Sequence, residues 1–325
     1  MSKITFGMAL HDAMEGEMRR CPEVYLAGED VGFYGGDFGE DRGLWAEFGP
    51  QRVVDTPISE TAIIGHAVGS AALGLRPIVE LMHMDFIGVA MDEILNQVAK
   101  VRYMYGGKAQ TAIVIKTNSG AGVGGAAQHS QQLEALLAHI PGLKVVMPSN
   151  PADAKGLMTA AIRDNSPVVF ISHKLLFAQK AEVPDGEYIV PIGKANVVRE
   201  GKDVTIVSWS KMVQDAAAAA EKLAAQGIDA EVIDLRTIKP MDEETVLNSV
   251  RKTGRLVILH EAVRTGGFGG EVAARVAEKA FDALKAPIVR VTAPDCPIPM
   301  TPVLEKAYLP NPDKVVEAVL GVMKK

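Results

Sequence analysis

Apolar positions along this chain fall into two kinds of run that take turns. Short Val- and Ile-rich runs occur at 23–27, 52–54, 77–82, 111–116, 144–147 and 167–172. They are too short for helices and read as strands buried on both faces. Between them, residues 61–73, 90–105, 129–139 and 152–163 repeat apolar side chains at three- and four-residue spacing, which predicts helices. Strands alternating with helices imply a largely parallel sheet. After Lys174 the pattern lapses into a stretch punctuated by Pro184, Gly186, Pro191 and Gly193, and it resumes at Asp203. From there, strands at 204–209, 230–235, 256–260 and 287–292 alternate with helices at 213–226 and 270–284. The pattern therefore predicts an α/β protein of two domains, 1–182 and 203–325, joined by a linker at 183–202.

Length supports two domains, since 325 residues exceed the roughly 100 to 200 that one domain holds. No uncharged apolar run is long enough to span a bilayer. Lys3, Asp12, Glu15 and Glu17 interrupt the N-terminal segment and argue against a secretory signal, so a cytoplasmic protein is expected. Two cysteines, Cys21 and Cys296, are too few for a disulfide framework and lie in no metal-ligand spacing. A net charge of −6 with interspersed signs argues against nucleic acid as a partner.

Candidate chemistry begins at Asp55-Thr56-Pro57-Ile58-Ser59-Glu60. Pro57 cannot continue the strand before it, so the chain turns and delivers Glu60 to the start of a helix for which Ser59 is the expected cap. Gly65 and Gly69, four apart, put a bare stripe on that helix, open to close approach by another backbone, and Gly74 is placed to end it. A carboxylate at a helix start also has an ordinary explanation in the helix dipole. Two other segments follow strand ends: His83-Met84-Asp85-Phe86, and Gln128-His129-Ser130. Ligands of open parallel sheets sit beyond such ends, so these groups are candidates to share a site. Singly, His129 also reads as a packed or capping histidine and Phe86 as core.

Gly120-Ala121-Gly122-Val123-Gly124-Gly125 matches the dinucleotide spacing G-x-G-x-x-G, but the turn is long for that use and the next strand lacks the acid that holds a ribose. Gly266-Gly267-Phe268-Gly269-Gly270 suggests unusual backbone geometry before a helix. Nucleophile-elbow, zinc-protease and Walker motifs are missing.

Glu60 with Gly65 and Gly69 resembles the E-x4-G-x3-G signature of thiamine diphosphate enzymes. The strings DTPISE, GAGVGGAAQHSQ, HIPGLKVVMPS, DAKGLM and AIRDNSPVVF, in this order, resemble the beta subunit of the first component of 2-oxo acid dehydrogenase complexes. Within that group MDEILNQVAKVRYMYGGKA, SHKLLF and EVIDLRTIKPMDEE are most similar to the acetoin dehydrogenase members, with pyruvate and branched-chain members next. The resemblance implies a transketolase-like pyrimidine-binding domain over 1–182 and a transketolase C-terminal-like domain over 203–325.

It further implies thiamine diphosphate shared with an alpha subunit in a tetramer of two alpha and two beta chains. The GDG and NN elements of the family's diphosphate and magnesium motif do not occur here, which agrees with an alpha subunit holding the magnesium. By resemblance Glu60 is catalytic and meets the aminopyrimidine, Ile58 and Phe86 line the same pocket, and His129 is catalytic toward the intermediate and the lipoyl group of an acyltransferase core. Ile113, Ala161, Ile162, Asp164 and Ser166 align with a potassium site, against the plainer reading of a capped helix end. His66 and His83-Met84-Asp85 depart from the expected pattern. An NAD-dependent reductase and a non-catalytic assembly subunit are the competing classes.

Overall fold

The computed structural model describes residues 1–324. The chain divides into two compact units. One comprises Met1–Ser119 and Leu136–Ile192, and the other comprises Gly120–Ala135 and the chain from Gly193 onward.

The first unit opens on β1 (Ser2–Thr5) and α1 (Phe6–Arg20). There follow β2 (Val24–Gly28), α2 (Leu44–Phe48), β3 (Val53–Asp55), α3 (Glu60–Ala72), β4 (Arg76–His83), a π-helical turn (Glu93–Val98), α4 (Val101–Met104) and β5 (Val114–Ser119). After α5 (Glu134–His139) come β6 (Lys144–Val146), α6 (Pro151–Arg163), β7 (Val168–His173) and β8 (Lys180–Val183). Its main sheet runs β6-β7-β5-β4-β2-β3, every pair parallel. β1 pairs antiparallel with β8. Because both faces are covered, the central strands are buried and rich in Val and Ile, although β4 also buries Glu80 and β5 buries Lys116, Thr117, Asn118 and Ser119. Phe6, Leu10, Met14 and Met18, spaced by four along α1, are wholly buried in a core shared with Leu157, Met158 and Phe170. Thr5 caps α1 and Asn150 caps α6, where Pro151 takes the first turn.

The second unit contains β9 (Asn196–Arg199), β10 (Val204–Ser208), α7 (Met212–Ala224), β11 (Ala230–Asp234), β12 (Thr237–Lys239) and α8 (Glu243–Thr253). It ends with β13 (Leu256–Val263), α9 (Gly269–Ala280), β14 (Val289–Ala293), α10 (Pro302–Tyr308) and α11 (Pro312–Met323). Its sheet runs β14-β13-β10-β11-β9, parallel except for the edge strand β9. Among the described residues no helix is long and apolar enough to cross a membrane.

Three local expectations differ from the structure. The helix expected over 129–139 is confined to α5, and 129–133 is irregular. The helix expected over 90–105 is broken into the π-helical turn and the short α4. The stretch expected as linker contains β9 and part of β8, because one strand edge of each sheet accepts a partner that lacks the long apolar run of a central strand.

Candidate active site

Glu60 is placed by backbone chemistry on both sides of Pro57. β3 lies parallel to β2 with Gly28 opposite Asp55, and the Thr56 amide donates to the Gly28 carbonyl at 2.9 Å before Pro57 ends the ladder. The Asp55 carboxylate accepts the Gly32 amide at 2.6 Å and the Phe33 amide at 3.2 Å, which ties the loop after β2 to the end of β3. A Cβ at position 32 would lie 2.5 Å from Asp55 Oδ2, so this clamp requires glycine. Ser59 takes the cap position, but its side chain makes no capping hydrogen bond. Its carbonyl instead accepts the Ile63 amide at 2.9 Å, so the expected side-chain cap is not formed.

Glu60 is the first residue of α3 and only 8% exposed. Close to it stands Glu29, just past β2, whose carboxyl is raised above its ordinary range by burial first and then by the charges of Glu60 and Asp30. Glu29 went unnoticed in the sequence, although an acid directly beyond the C-terminal end of a strand adjacent to β3 carried the signal. Ile58 is 81% exposed. Thr56, four residues before Glu60, has a buried hydroxyl with no hydrogen-bond partner. Thr61 donates to the Val89 carbonyl at 2.9 Å, bringing the turn that carries Phe86 alongside the start of α3. Phe86 is half-buried, its ring edge-on to His83 at 5.7 Å.

One face of α3 is bare. Nothing lies within 4 Å of where a Cβ on Gly69 would project, and Gly65 would meet only Glu93 Cγ at 3.7 Å. His66, on the same exposed side, accepts or donates at Tyr25 Oη over 3.0 Å, so this departure from the family pattern is held by the protein itself.

His129 is exposed and lies in the Gly120–Ala135 segment, which belongs to the second unit. Gly120, Gly122 and Gly124 there have positive φ. The Ala121 amide donates to Glu261 at 2.8 Å, Gly122 to Glu305 at 2.7 Å, and Gly124 to both Glu305 oxygens at 3.3 Å. Amides that a dinucleotide phosphate would need are thus already engaged by carboxylates. The second glycine cluster has a structural reason as well. Gly267 and Gly269 pack directly on the His260 ring, which is wholly buried and stacked on Trp209 at 5.2 Å. Neither His260 ring nitrogen has a hydrogen-bond partner, and burial foremost, then Arg290 and Arg264, pushes its pKa down to about 4.

The five residues aligned with a potassium site lie together at the end of α6 and the start of β5. The Ile162 and Asp164 carbonyls accept from the Arg76 guanidinium at 2.9 and 2.8 Å, Ile113 accepts the Val168 amide, and Ala161 accepts the Asp164 amide. The Asp164 carboxylate pairs with Lys144 and caps the Ser166 amide. Each carbonyl keeps its second lone pair.

A further cluster had no counterpart in the sequence reading. Lys116 is fully buried on β5 and donates to Glu40 at 2.8 Å, Asp41 at 3.2 Å and Glu80 at 2.6 Å. Burial, opposed by Lys116, holds the Glu80 carboxyl well above its usual range.

The family description "Transketolase, pyrimidine binding domain" matches residues 2–179, and "Transketolase, C-terminal domain" matches residues 193–315. Acetoin:2,6-dichlorophenolindophenol oxidoreductase subunit beta of Cupriavidus necator is 49% identical, covering 99% of this chain and 98% of its own. Pyruvate dehydrogenase E1 component subunit beta of Rhizobium meliloti is 50% identical over 100% of this chain and 71% of its own. The chain belongs to the family of thiamine diphosphate-dependent dehydrogenase beta subunits. Another member, 2-oxoisovalerate dehydrogenase subunit beta of Bacillus subtilis, is 44% identical over 98% of both chains. Among solved structures, a split-gene transketolase described as an inactive beta4 tetramer superimposes with a TM-score of 0.82 at 26% identity, over 99% of each chain. The two transketolase-type domains expected from the sequence are therefore present in this beta subunit. The family match at 2–179 follows the chain straight through Gly120–Ala135, the segment that the compact units assign elsewhere.

Proposed function

We propose that this chain is the beta half of a thiamine diphosphate-dependent component that cleaves acetoin and passes the acyl group to the lipoyl arm of an acyltransferase. Acetoin is preferred because two acetoin relatives match at 49% and 48% over nearly their full lengths. Pyruvate or a branched-chain 2-oxo acid is the second reading, favoured by the relatives that act on them.

One observation carries the site: a carboxylate buried to 8% exposure heads a helix whose Gly65 and Gly69 face is open. The residues fit the cofactor's aminopyrimidine, since Thr56 leaves an orphaned buried hydroxyl and Ile58 and Phe86 offer apolar surface that is not fully covered. When bound, the cofactor supplies the electron sink for carbon–carbon cleavage. Glu60 would hold a proton at the ring nitrogen of the aminopyrimidine, and Phe86 would fix the ring by stacking. Ile58 would keep water from the same pocket. His129 would hold or move a proton at the substrate oxygen and at the incoming lipoyl sulfur.

An alpha partner covers the bare stripe of α3 and holds the diphosphate and magnesium, in a tetramer of two chains of each kind. Potassium would bind through the second lone pairs of the Ile113, Ala161, Ile162, Asp164 and Ser166 oxygens. We place the assembly in the cytoplasm. The test is turnover of acetoin, pyruvate and branched-chain 2-oxo acids with an artificial electron acceptor, using the chain co-expressed with its alpha subunit. Glu60→Gln is expected to lower turnover by about 100- to 10,000-fold with the tetramer intact. Full turnover after replacement of both Glu60 and His129 would favour the assembly-subunit reading.

A further inference from the structure

We infer that Glu305 and Glu261 are positioning residues for the reaction, gripping the backbone of the loop that presents His129. The inference rests on the role proposed for His129 above.

The loop forms no helix or strand from Gly120 until α5 begins at Glu134. Positive φ at Gly120, Gly122 and Gly124 accompanies amides that face carboxylates, Gly122 and Gly124 toward Glu305 and Ala121 toward Glu261, the geometry of an anion-binding nest. The anion here is internal. Glu261 sits near the end of β13 and Glu305 in α10, 140 and 183 residues from the amides they accept. Both are nearly fully buried, at 5% and 4% exposure. A buried carboxylate is tolerated only when charge-assisted hydrogen bonds replace its water, and three loop amides supply them. The grip is strengthened by Ala121, whose side chain is buried against Ala293, Ile298 and Tyr308.

A cavity of about 480 Å³ separates Ser130, Gln132 and Leu133 on the loop from Glu261, Ile298 and Tyr308. Ser130 is fully buried yet its hydroxyl has no hydrogen-bond partner. The anchored amides at 121–124 and the tight return at Gly125, where a Cβ would lie 2.8 Å from Ser130 Oγ, set the path of the backbone that leads to His129. A carboxylate contributed by a distant helix thus takes the place that a phosphate occupies in nucleotide loops, and serves to hold a catalytic loop still.

The test uses the assembled alpha–beta enzyme with thiamine diphosphate and magnesium, comparing Glu305→Ala, Glu305→Gln and His129→Ala. Two quantities are read: amide hydrogen exchange in the peptide covering 120–130, and the separate kcat and KM for the preferred substrate. Glu305→Ala is expected to speed exchange in that peptide by about tenfold or more, the equilibrium equivalent of one lost charge-assisted hydrogen bond, and to lower kcat comparably with KM within about twofold. Exchange in peptides of the first unit should stay unchanged. Glu305→Gln keeps an acceptor oxygen for Gly122 and should recover most of both quantities, while Glu305→Asp, which draws the carboxylate back by one methylene, takes the place of the alanine variant if that does not fold. Unchanged exchange at 120–130 in Glu305→Ala, or in Glu305→Asp where the alanine variant does not fold, overturns the grip. Faster exchange with normal kcat, while His129→Ala is impaired, overturns the positioning role. Normal turnover by His129→Ala overturns the role proposed for His129 and with it the positioning role, and exchange then decides the grip on its own.

Discussion

Lys116→Met deletes the only cation from the buried cluster while nearly preserving side-chain volume. In the native protein the ammonium faces Glu40 at 2.8 Å, Asp41 at 3.2 Å and Glu80 at 2.6 Å, with none of its own surface exposed. Burial works against its charge, but the three carboxylates outweigh this and hold the ammonium protonated. Removing one partner of a buried ion pair costs about 3 to 5 kcal/mol because the remaining charge is stranded, and here the stranded charges are acids only. We expect about 4 kcal/mol lost from the first unit at pH 8.

The loss should shrink in acid. Without the lysine, the Asp41 and Glu80 carboxyls, already raised by burial, lose the cation that opposes that rise, so the folded variant binds more protons than the unfolded chain and gains stability as pH falls. Each extra proton held contributes about 1.4 kcal/mol per pH unit, so a deficit at least about 2 kcal/mol smaller at pH 5 is expected. The chain has two tryptophans, Trp45 and Trp209, and Trp45 lies on α2, three residues past the Arg42 that follows Asp41. Urea unfolding followed by Trp45 fluorescence in a Trp209→Phe background therefore reports the first unit. A Lys116→Met deficit below about 1 kcal/mol at pH 8, or one independent of pH, would refute the reasoning.

Three other outcomes are expected. His260 is held neutral with a folded pKa of about 4 against an ordinary 6.5, so its contribution to stability is present above about pH 6.5 and is lost as pH falls toward 4, by roughly 3 kcal/mol. His260→Phe should flatten that part of a stability-versus-pH curve followed through Trp209, and an unchanged slope counts against it. Gly69→Leu places a good helix former where nothing is in contact, so the beta chain alone should melt no lower than the parent while co-purification with the alpha chain is abolished. Retained assembly would show that the bare face of α3 is not the docking surface. If the oxygens of Ile113, Ala161, Ile162, Asp164 and Ser166 take potassium, exchanging it for sodium at equal ionic strength should lower the melting temperature of the first unit, and identical melting curves would leave the Ile162 and Asp164 carbonyls to Arg76.

Much of the architecture was legible because it depends on local periodicity. Val- and Ile-rich runs separated by helical spacing specify buried parallel strands and their covering helices, and Pro57 dictated that Glu60 begin a helix. Motif order carried the family. Less legible were groups whose partners are remote in sequence. Glu29 acquires meaning only beside Glu60, and Lys116, embedded in an apolar strand, only beside three acids brought from two other segments. Residues 129–133 have helical spacing, yet the segment after β5 is drawn to carboxylates in β13 and α10 and becomes a loop.

By itself the sequence determined which elements form and which acid and histidine are candidates, because strand and helix patterns and a proline turn act over a few residues. Only tertiary structure decided what each buried charge meets: a glycine motif shaped for phosphate is answered by Glu305, and a lysine in a core strand is balanced by Glu40, Asp41 and Glu80. The physical reason is that removing a charge from water is prohibitive unless a partner is in place, and that partner is supplied by folding rather than by sequence neighbours.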